Sequence, residues 1–246
     1  MYDREVAARL ISSPFTSNLD NALIERELAD GFRAGIRAQI CAPGQLELIR
    51  RVKERFPDSK TRIGMVVSYP YGGMTTRVKC ELVRQAREAG MDEVDIAPNV
   101  TAAASQDYAA VEEEMCRIIE AARGEIRLVP MLWMVKFSFE TVDGLCRVYK
   151  RLGIDSVKTS AGIHFGEMLV EHIEWLHRNY PEFCIEVAGR TRQREKAEAM
   201  FRAGASFIHT GSWRKLSGIG TDPAFDGATK ECSAGKFTNY LQEAGK

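Results

Sequence analysis

From about residue 35 onward, short apolar runs alternate with amphipathic stretches long enough to be helices. Runs of four to seven apolar residues between turn signals are typical of buried strands, and apolar residues every three or four positions are typical of helices. The predicted strands are 36–42, 62–67, 93–98, 126–132, 156–160, 184–188 and 207–210. The predicted helices between them are 45–55, 75–89, 104–122, 139–152, 166–179 and 192–203.

Three predicted helices end in the same way: a glycine follows the last helical turn, and a strand begins directly afterwards. These glycines are Gly90, Gly153 and Gly204, placed where a left-handed cap ends a helix. Strands that are apolar on both faces and alternate with helices indicate a parallel sheet covered by helices. With a short eighth strand at 9–13, the pattern predicts an α/β fold of the TIM (β/α)8 barrel type. A doubly wound open sheet is the alternative, but no G-x-G-x-x-G turn follows the first strand.

The composition is that of one globular domain spanning residues 1–246, with an N-terminal helical segment at 1–30 and a C-terminal tail at 217–246. Apolar residues make up 45% and charged residues 28% of the chain, and the formal net charge is +0. This balance gives no electrostatic reason to expect nucleic acid or an anionic membrane as a partner. No apolar run approaches the roughly 20 residues of a membrane span, and the N-terminus is too charged for a signal peptide.

The six cysteines are scattered and contain no C-x-x-C pair. They are interpreted as free thiols in a reducing cytoplasm. The four histidines show no spacing suited to a metal site, so we expect neither a metal nor another cofactor. Barrels often self-associate, so we expect a homo-oligomer, although no exposed apolar stripe can be identified in the sequence.

The most informative residue is Lys158, which lies within the apolar strand 156–160. An unpaired buried charge is costly, so such a lysine is either paired or shifted toward its neutral form. A neutral amine attacks carbonyl carbon, and the position therefore predicts a Schiff-base enzyme. The alternative is a lysine at the polar end of the strand, with its stem buried and its ammonium in water.

Two carboxylates occupy comparable positions, Asp95 in Val-Asp-Ile-Ala and Glu186 in Ile-Glu-Val-Ala. In a barrel, the carboxyl ends of the strands meet at one mouth, so we expect both groups near Lys158, where they could divide acid–base roles. A purely structural cluster of ion pairs is the alternative.

Two late loops have the character of phosphate-binding turns. Gly189 and Arg190 follow one predicted strand, and Gly211 and Ser212 follow the next. Small residues at a helix start leave backbone N–H groups that can hold an anion, and Arg190 could add a bidentate contact. The alternative is that these glycines only allow the backbone to turn, because tight strand-to-helix turns need glycine in any case.

These residues together resemble the deoxyribose-phosphate aldolase family, the class I aldolases of the DeoC type. Val-Lys158-Thr-Ser-Ala-Gly162 is similar to the family's Schiff-base motif, Asp-Glu-Val-Asp95 to the strand with its catalytic aspartate, and Ile-Cys41-Ala-Pro to the strand with its active-site cysteine. The resemblance covers about residues 35–215. It implies a metal-free TIM barrel that joins acetaldehyde to glyceraldehyde 3-phosphate reversibly, with Cys41 and Gly162 at the substrate.

The chain departs from the family at several lysines. Glu186 stands where the family has a second lysine, Pro130 where another strand lysine would fall, and Ile163 where a phosphate-side lysine would follow Gly162. A carboxylate beside Lys158 favours the charged amine, whereas an ammonium favours the neutral one.

The main hypothesis is therefore a cofactor-free class I aldolase that cleaves a small, phosphorylated sugar or aldehyde. Lys158 would form the imine, Asp95 would relay protons, and Glu186 would act as general base. An imine-forming isomerase or dehydratase, and a non-catalytic protein that binds sugar phosphates and regulates another process, are the alternatives.

Overall fold

The computed structural model describes residues 2–16, 20–161 and 166–221. Eight parallel strands form one sheet in the order β5-β4-β3-β2-β1-β8-β7-β6. The strands are β1 Leu10–Ser12, β2 Ala38–Cys41, β3 Arg62–Val67, β4 Glu93–Ile96, β5 Arg127–Pro130, β6 Ser156–Lys158, β7 Cys184–Ala188 and β8 Phe207–His209. A bridge between Met131 and Lys158, with the hydrogen bond from Leu132 N to Lys158 O (2.8 Å), brings β5 and β6 together. The predicted TIM barrel is confirmed.

Helices follow the strands and cover the outer face of the barrel. They are α1 Arg4–Ala7, α2 Asn21–Ala34, α3 Leu46–Glu54, α4 Thr76–Glu88, α5 Val100–Ala104, α6 Tyr108–Ala122, α7 Phe139–Arg151, α8 Val170–Asn179, α9 Arg194–Arg202 and α10 Trp213–Leu216. The predicted helix 104–122 corresponds to α6, which begins only at Tyr108, where Asp107 caps it by accepting from Ala110 N at 3.1 Å; the separate short helix α5 precedes it.

The predicted helix exits at Gly90 and Gly153 are confirmed. Both glycines have φ of +72°, a left-handed conformation that costs other residues more. Met91 N and Ile154 N, one residue further on, bond back to Ala86 O and Tyr149 O at 3.0 Å, which is the backbone pattern of a Schellman cap. Each cap turns the chain directly into the next strand.

Alternate residues of each strand face opposite sides of the sheet. Val157, Ile185 and Ile208 belong to the large apolar cluster between the strands and the helices. A second, smaller apolar cluster fills the barrel interior and its mouth; it contains Ile11, Ala38, Ile40, Val66, Ala97, Met131, Trp133 and Ala161. The polar residues that face inward are therefore placed among apolar side chains and away from water.

Candidate active site

Lys158 is the last residue of β6 and faces the barrel interior at the carboxyl ends of the strands. Its neighbour Val157 faces the outer apolar cluster, as the strand alternation requires. Lys158 is buried, and its Nζ contacts the side chains of Asp95 and His209. The solvated lysine considered as the alternative is therefore not what the structure shows, and Lys158 and Asp95 lie together as predicted.

Asp95 lies in β4 and is fully buried. Its Oδ2 accepts a hydrogen bond from Lys158 Nζ. Its other oxygen, Oδ1, has no hydrogen-bond partner within the described part of the chain. A buried carboxylate oxygen of this kind is costly unless something bonds to it, so Asp95 Oδ1 is suited to meet a donor on a bound molecule.

His209 ends β8 and completes the group around the amine. Its Nδ1 contacts Lys158 Nζ and lies 3.8 Å from Asp95 Oδ2. Its Nε2 lies 2.6 Å from the hydroxyl of Ser13, which follows β1. Burial, and then the positive charge of Lys158, hold the pKa of His209 well below its usual value, so the imidazole is neutral at physiological pH.

Glu186 lies in the middle of β7 and does not join this group. Its Cα is the register partner of Lys158, but its carboxylate pairs with Arg127, whose Nη1 donates to Glu186 Oε1 at 2.8 Å. Within the described residues no ion pair links Glu186 to Lys158. The expected contact between these two side chains is therefore not what the structure shows, because Arg127 holds the Glu186 carboxylate deeper in the barrel.

A barrel-floor cluster, defined as Arg37, Glu93, Arg127 and Glu186, lies beneath the amine. Arg127 also donates to Glu93 at 3.2 Å, and Arg37 reaches the same carboxylate at 3.4 Å. Burial raises the pKa of Glu186 to about 8, with repulsion from Glu93 and Asp95 adding to the shift and Arg127 and Lys158 opposing it. Burial also raises the pKa of Glu93. Two guanidinium groups therefore face two carboxyl groups that are costly to ionise.

Arg127 also forms hydrogen bonds with residues of β6 and β7. Its Nε donates to Ser156 Oγ at 2.9 Å, and its Nη2 lies 3.1 Å from Cys184 Sγ. Sequence reasoning missed both Arg127 and Glu93. The available signal was alternation, since Glu93 lies two residues before Asp95 in β4, and Arg127 lies at the start of a strand that is otherwise apolar.

The structure places Cys41 outside the site. Cys41 packs in the outer apolar cluster between strands and helices, and burial raises the pKa of its thiol to about 12. Its neighbour Ile40 faces the interior, so alternation turns the sulfur away. The predicted role of Cys41 at the substrate has no contact in the structure to support it. Gly162 lies outside the described residues.

The two predicted phosphate loops lie side by side at the mouth of the barrel. Thr210 Oγ1 donates to Thr191 O at 2.8 Å and so joins the loop after β8 to the loop after β7. Gly189 is buried, whereas Arg190 is exposed with a left-handed φ of 57°. Ser212 N donates to Thr210 Oγ1 at 3.0 Å, so that N–H is engaged within its own loop. Gly211 is exposed beside it.

Aromatic side chains line the mouth above the amine. Trp133 follows β5 and packs with Tyr71 from the loop after β3, at 5.9 Å between ring centroids. Tyr69, Phe15 and Phe137 pack against the interior apolar cluster. An apolar mouth lowers the local dielectric constant and so strengthens the interactions of Lys158 with its neighbours.

Residues 2–16, 20–161 and 166–221 contain no group of three or more His, Cys, Asp or Glu side chains arranged to hold a metal ion. The same part of the chain has no helix of the length and apolarity needed to cross a bilayer.

The chain is similar to proteins of known name. It is 34% identical to the deoxyribose-phosphate aldolase of Clostridium novyi over 149 residues, which cover 60% of this chain and 67% of that protein. It is 30% identical to the deoxyribose-phosphate aldolase of Micrococcus luteus over 226 residues, covering 89% of this chain and 96% of that one. No family model matches the chain.

Solved structures support the fold. The deoxyribose phosphate aldolase of Aeropyrum pernix, described as a tetramer, superposes with a TM-score of 0.78 at 22% identity, covering 87% of this chain and 90% of that one. At this identity the likeness concerns the fold of the chain.

Proposed function

This chain belongs to the deoxyribose-phosphate aldolase family, and on that premise we propose that it is a class I aldolase acting on a small, phosphorylated sugar or aldehyde. The observation that carries the proposal is the placement of Lys158. Its amine is buried at the carboxyl end of β6 and contacts a carboxylate and an imidazole. Barrel enzymes carry out their chemistry at this end of the strands.

The reaction begins with attack of the Lys158 amine on the substrate's carbonyl carbon. A carbon–nitrogen bond forms, the carbonyl oxygen leaves as water, and a positively charged imine remains. Asp95, which already accepts from Lys158 Nζ, lies where it can balance that charge in a low-dielectric site. The buried pair is thus arranged for an imine, and no cofactor is required by this chemistry.

Cleavage follows when a base removes the proton from the hydroxyl group on the second carbon from the imine carbon. The electrons of the adjacent carbon–carbon bond move into the imine, an aldehyde leaves, and the remaining enamine takes up a proton at carbon. Asp95 Oδ1, which is buried without a partner among the described residues, is the proposed proton acceptor. Hydrolysis of the last imine frees Lys158.

The general-base role is given to Asp95 because the carboxylate of Glu186 is bound by Arg127. The phosphate group is assigned to the two joined loops, with Gly189, Gly211, the side chain of Ser212 and the exposed guanidinium of Arg190 as contacts. Location in the cytoplasm and assembly into a homo-oligomer stay predictions.

The test is product analysis with matched substrates. Purified protein is incubated with 2-deoxyribose 5-phosphate and, separately, with unphosphorylated 2-deoxyribose, and acetaldehyde and triose phosphate are measured. The proposal expects both products from the phosphorylated sugar and none with Lys158→Met. An intact carbon chain that is rearranged or dehydrated would support the isomerase or dehydratase instead. Saturable binding without any product would support the regulatory protein.

A further inference from the structure

Within the described residues Lys158 Nζ contacts two side chains, and one of them, the imidazole of His209, takes no part in the steps proposed above. His209 and Asp95 both contact the nitrogen, and the two partner atoms lie 3.8 Å apart. The ring of His209 contacts a reactive amine through one nitrogen and a hydroxyl through the other, and this arrangement favours a chemical role over simple packing in the core.

Ser13 fixes the orientation of the ring. An ammonium group only donates hydrogen bonds, so Nδ1 of His209 must accept from Lys158. Nε2 then carries the proton and donates to Ser13 Oγ at 2.6 Å. Ser13 is itself held in a tight turn, because its carbonyl oxygen accepts from the N–H of Thr16 at 3.0 Å and from the Thr16 hydroxyl at 2.8 Å.

On the basis of the proposed aldolase function, we infer that His209 is a catalytic residue that carries protons between Lys158 Nζ and the substrate's carbonyl oxygen, and that Ser13 positions it. His209 qualifies because it contacts the reacting nitrogen. Asp95 then keeps its negative charge during imine formation and stabilises the iminium ion.

The protons balance without any outside donor. One proton passes from the Lys158 ammonium to His209 Nδ1, and the neutral amine bonds to the carbonyl carbon. The imidazolium returns this proton to the oxygen, and a second proton follows the same route from nitrogen to oxygen. The carbon–oxygen bond breaks, water leaves, and the iminium keeps the third proton. The ammonium and carbonyl thus become an iminium and water.

The electrostatics of the site support such a carrier. The positive charge of Lys158 contributes, after burial, to the lowered pKa of His209. That contribution disappears once the proton has left the amine, so the imidazole gains basicity when it has to hold the proton. The groups that face His209 are Lys158 from β6, Asp95 from β4 and Ser13 after β1, while Glu186 of β7 is held below by Arg127.

The experiment compares rates of imine formation in the full chain. Acetaldehyde is added with cyanoborohydride, and reduced adduct on the Lys158 peptide is followed by mass spectrometry over time. The variant His209→Asn keeps an acceptor near Nδ1 but cannot carry a proton. Removal of a general acid–base group typically costs about 10²–10⁴-fold, and we expect a slowing in that range. Ser13→Ala should slow the reaction by about 10-fold, equivalent to one lost hydrogen bond, and Ser13→Thr should restore it.

A second reaction separates proton transfer from misplacement of the lysine. Carbamoylation of Lys158 by cyanate also needs the neutral amine, but it is slow enough for the ammonium to lose its proton to solvent beforehand, and it involves no loss of water. It should keep its wild-type rate in His209→Asn. Equal adduct rates in wild type and variant would overturn the role of His209, and so would a parallel loss of carbamoylation. Absence of any adduct on wild-type Lys158 would instead overturn the aldolase function. If His209→Asn fails to fold, Ser13→Ala and Ser13→Thr are compared in the same two reactions, and the same outcomes decide the question.

Discussion

Replacing Glu186 with glutamine should change how the free energy of unfolding depends on pH. Glu186 is fully buried, and its Oε2 has no hydrogen-bond partner in the described part of the chain. Burial, with repulsion from Glu93 and Asp95, raises its pKa to about 8. Glutamine has the shape of the protonated acid and can accept from Arg127, so the variant removes the ionisation with little change in packing.

The sign of this pH dependence follows from the raised pKa of Glu186. Between the ordinary value of 4.5 and about 8, the folded protein holds a proton on Glu186 that the unfolded chain has lost. Stability therefore falls as pH rises through this window, by up to about 1.4 kcal/mol per pH unit. From about pH 5.5 to about pH 8 the contribution amounts to about 3 kcal/mol. The free energy of unfolding of Glu186→Gln does not fall in this way. Relative to wild type it should therefore rise by about 3 kcal/mol between about pH 5.5 and about pH 8.

Urea unfolding at a series of pH values measures the difference directly. At each pH, the free energy of unfolding of wild type is subtracted from that of the variant. This cancels the ionisations that both proteins share, provided that the two free energies depend on urea concentration with the same slope. The matched control is Glu113→Gln, which removes an exposed carboxylate from α6 and should run parallel to wild type. Parallel curves for Glu186→Gln and wild type would show that Glu186 does not hold a proton in the folded protein.

Three further predictions concern the barrel floor, the mouth and one tight turn. Arg127→Met should lower the free energy of unfolding by about 2–4 kcal/mol, measured in urea, because the buried carboxyl groups of Glu93 and Glu186 lose their shared hydrogen-bond donor; an unchanged midpoint would refute the role of Arg127 in the barrel-floor cluster. Arg190→Gln should raise KM for a phosphorylated substrate about 10-fold through loss of a charged hydrogen bond, while KM for the unphosphorylated analogue stays the same; equal effects on both would remove Arg190 from the phosphate site. Gly72→Ala should destabilise the protein far more than Gly35→Ala, because the added Cβ would lie 1.6 Å from the Pro98 carbonyl oxygen at Gly72 and within 4 Å of nothing at Gly35, although φ is positive at both (66° and 62°). Similar melting temperatures for the two alanine variants would contradict this.

The fold could be predicted because its signals are local. Each strand is a short apolar run, and caps such as those at Gly90 and Gly153 mark where helices end. The pairing of Lys158 with Asp95 was also within reach, since both are single ionisable residues in apolar strands that end at one mouth.

The depth of each side chain in the barrel could not be predicted in the same way. Glu186 and Lys158 occupy similar places in the sequence, each as a single ionisable residue in an apolar strand. Only the register of β6 and β7 and the position of Arg127 show that the Glu186 carboxylate turns away from the amine, toward the barrel floor. Charged residues at strand starts, such as Glu93, are usually solvated, so their burial depends on barrel closure. Ser13 and His209 are 196 positions apart, and only the pairing of β1 with β8 brings them together.

The most direct test of the account is borohydride reduction in the presence of 2-deoxyribose 5-phosphate, followed by peptide mapping of the whole chain. The account expects a single stable adduct, on the peptide that contains Lys158, and none in Lys158→Met. Adducts spread over exposed lysines, with the Lys158 peptide unmodified while the sugar phosphate is still cleaved, would contradict the central role of this amine.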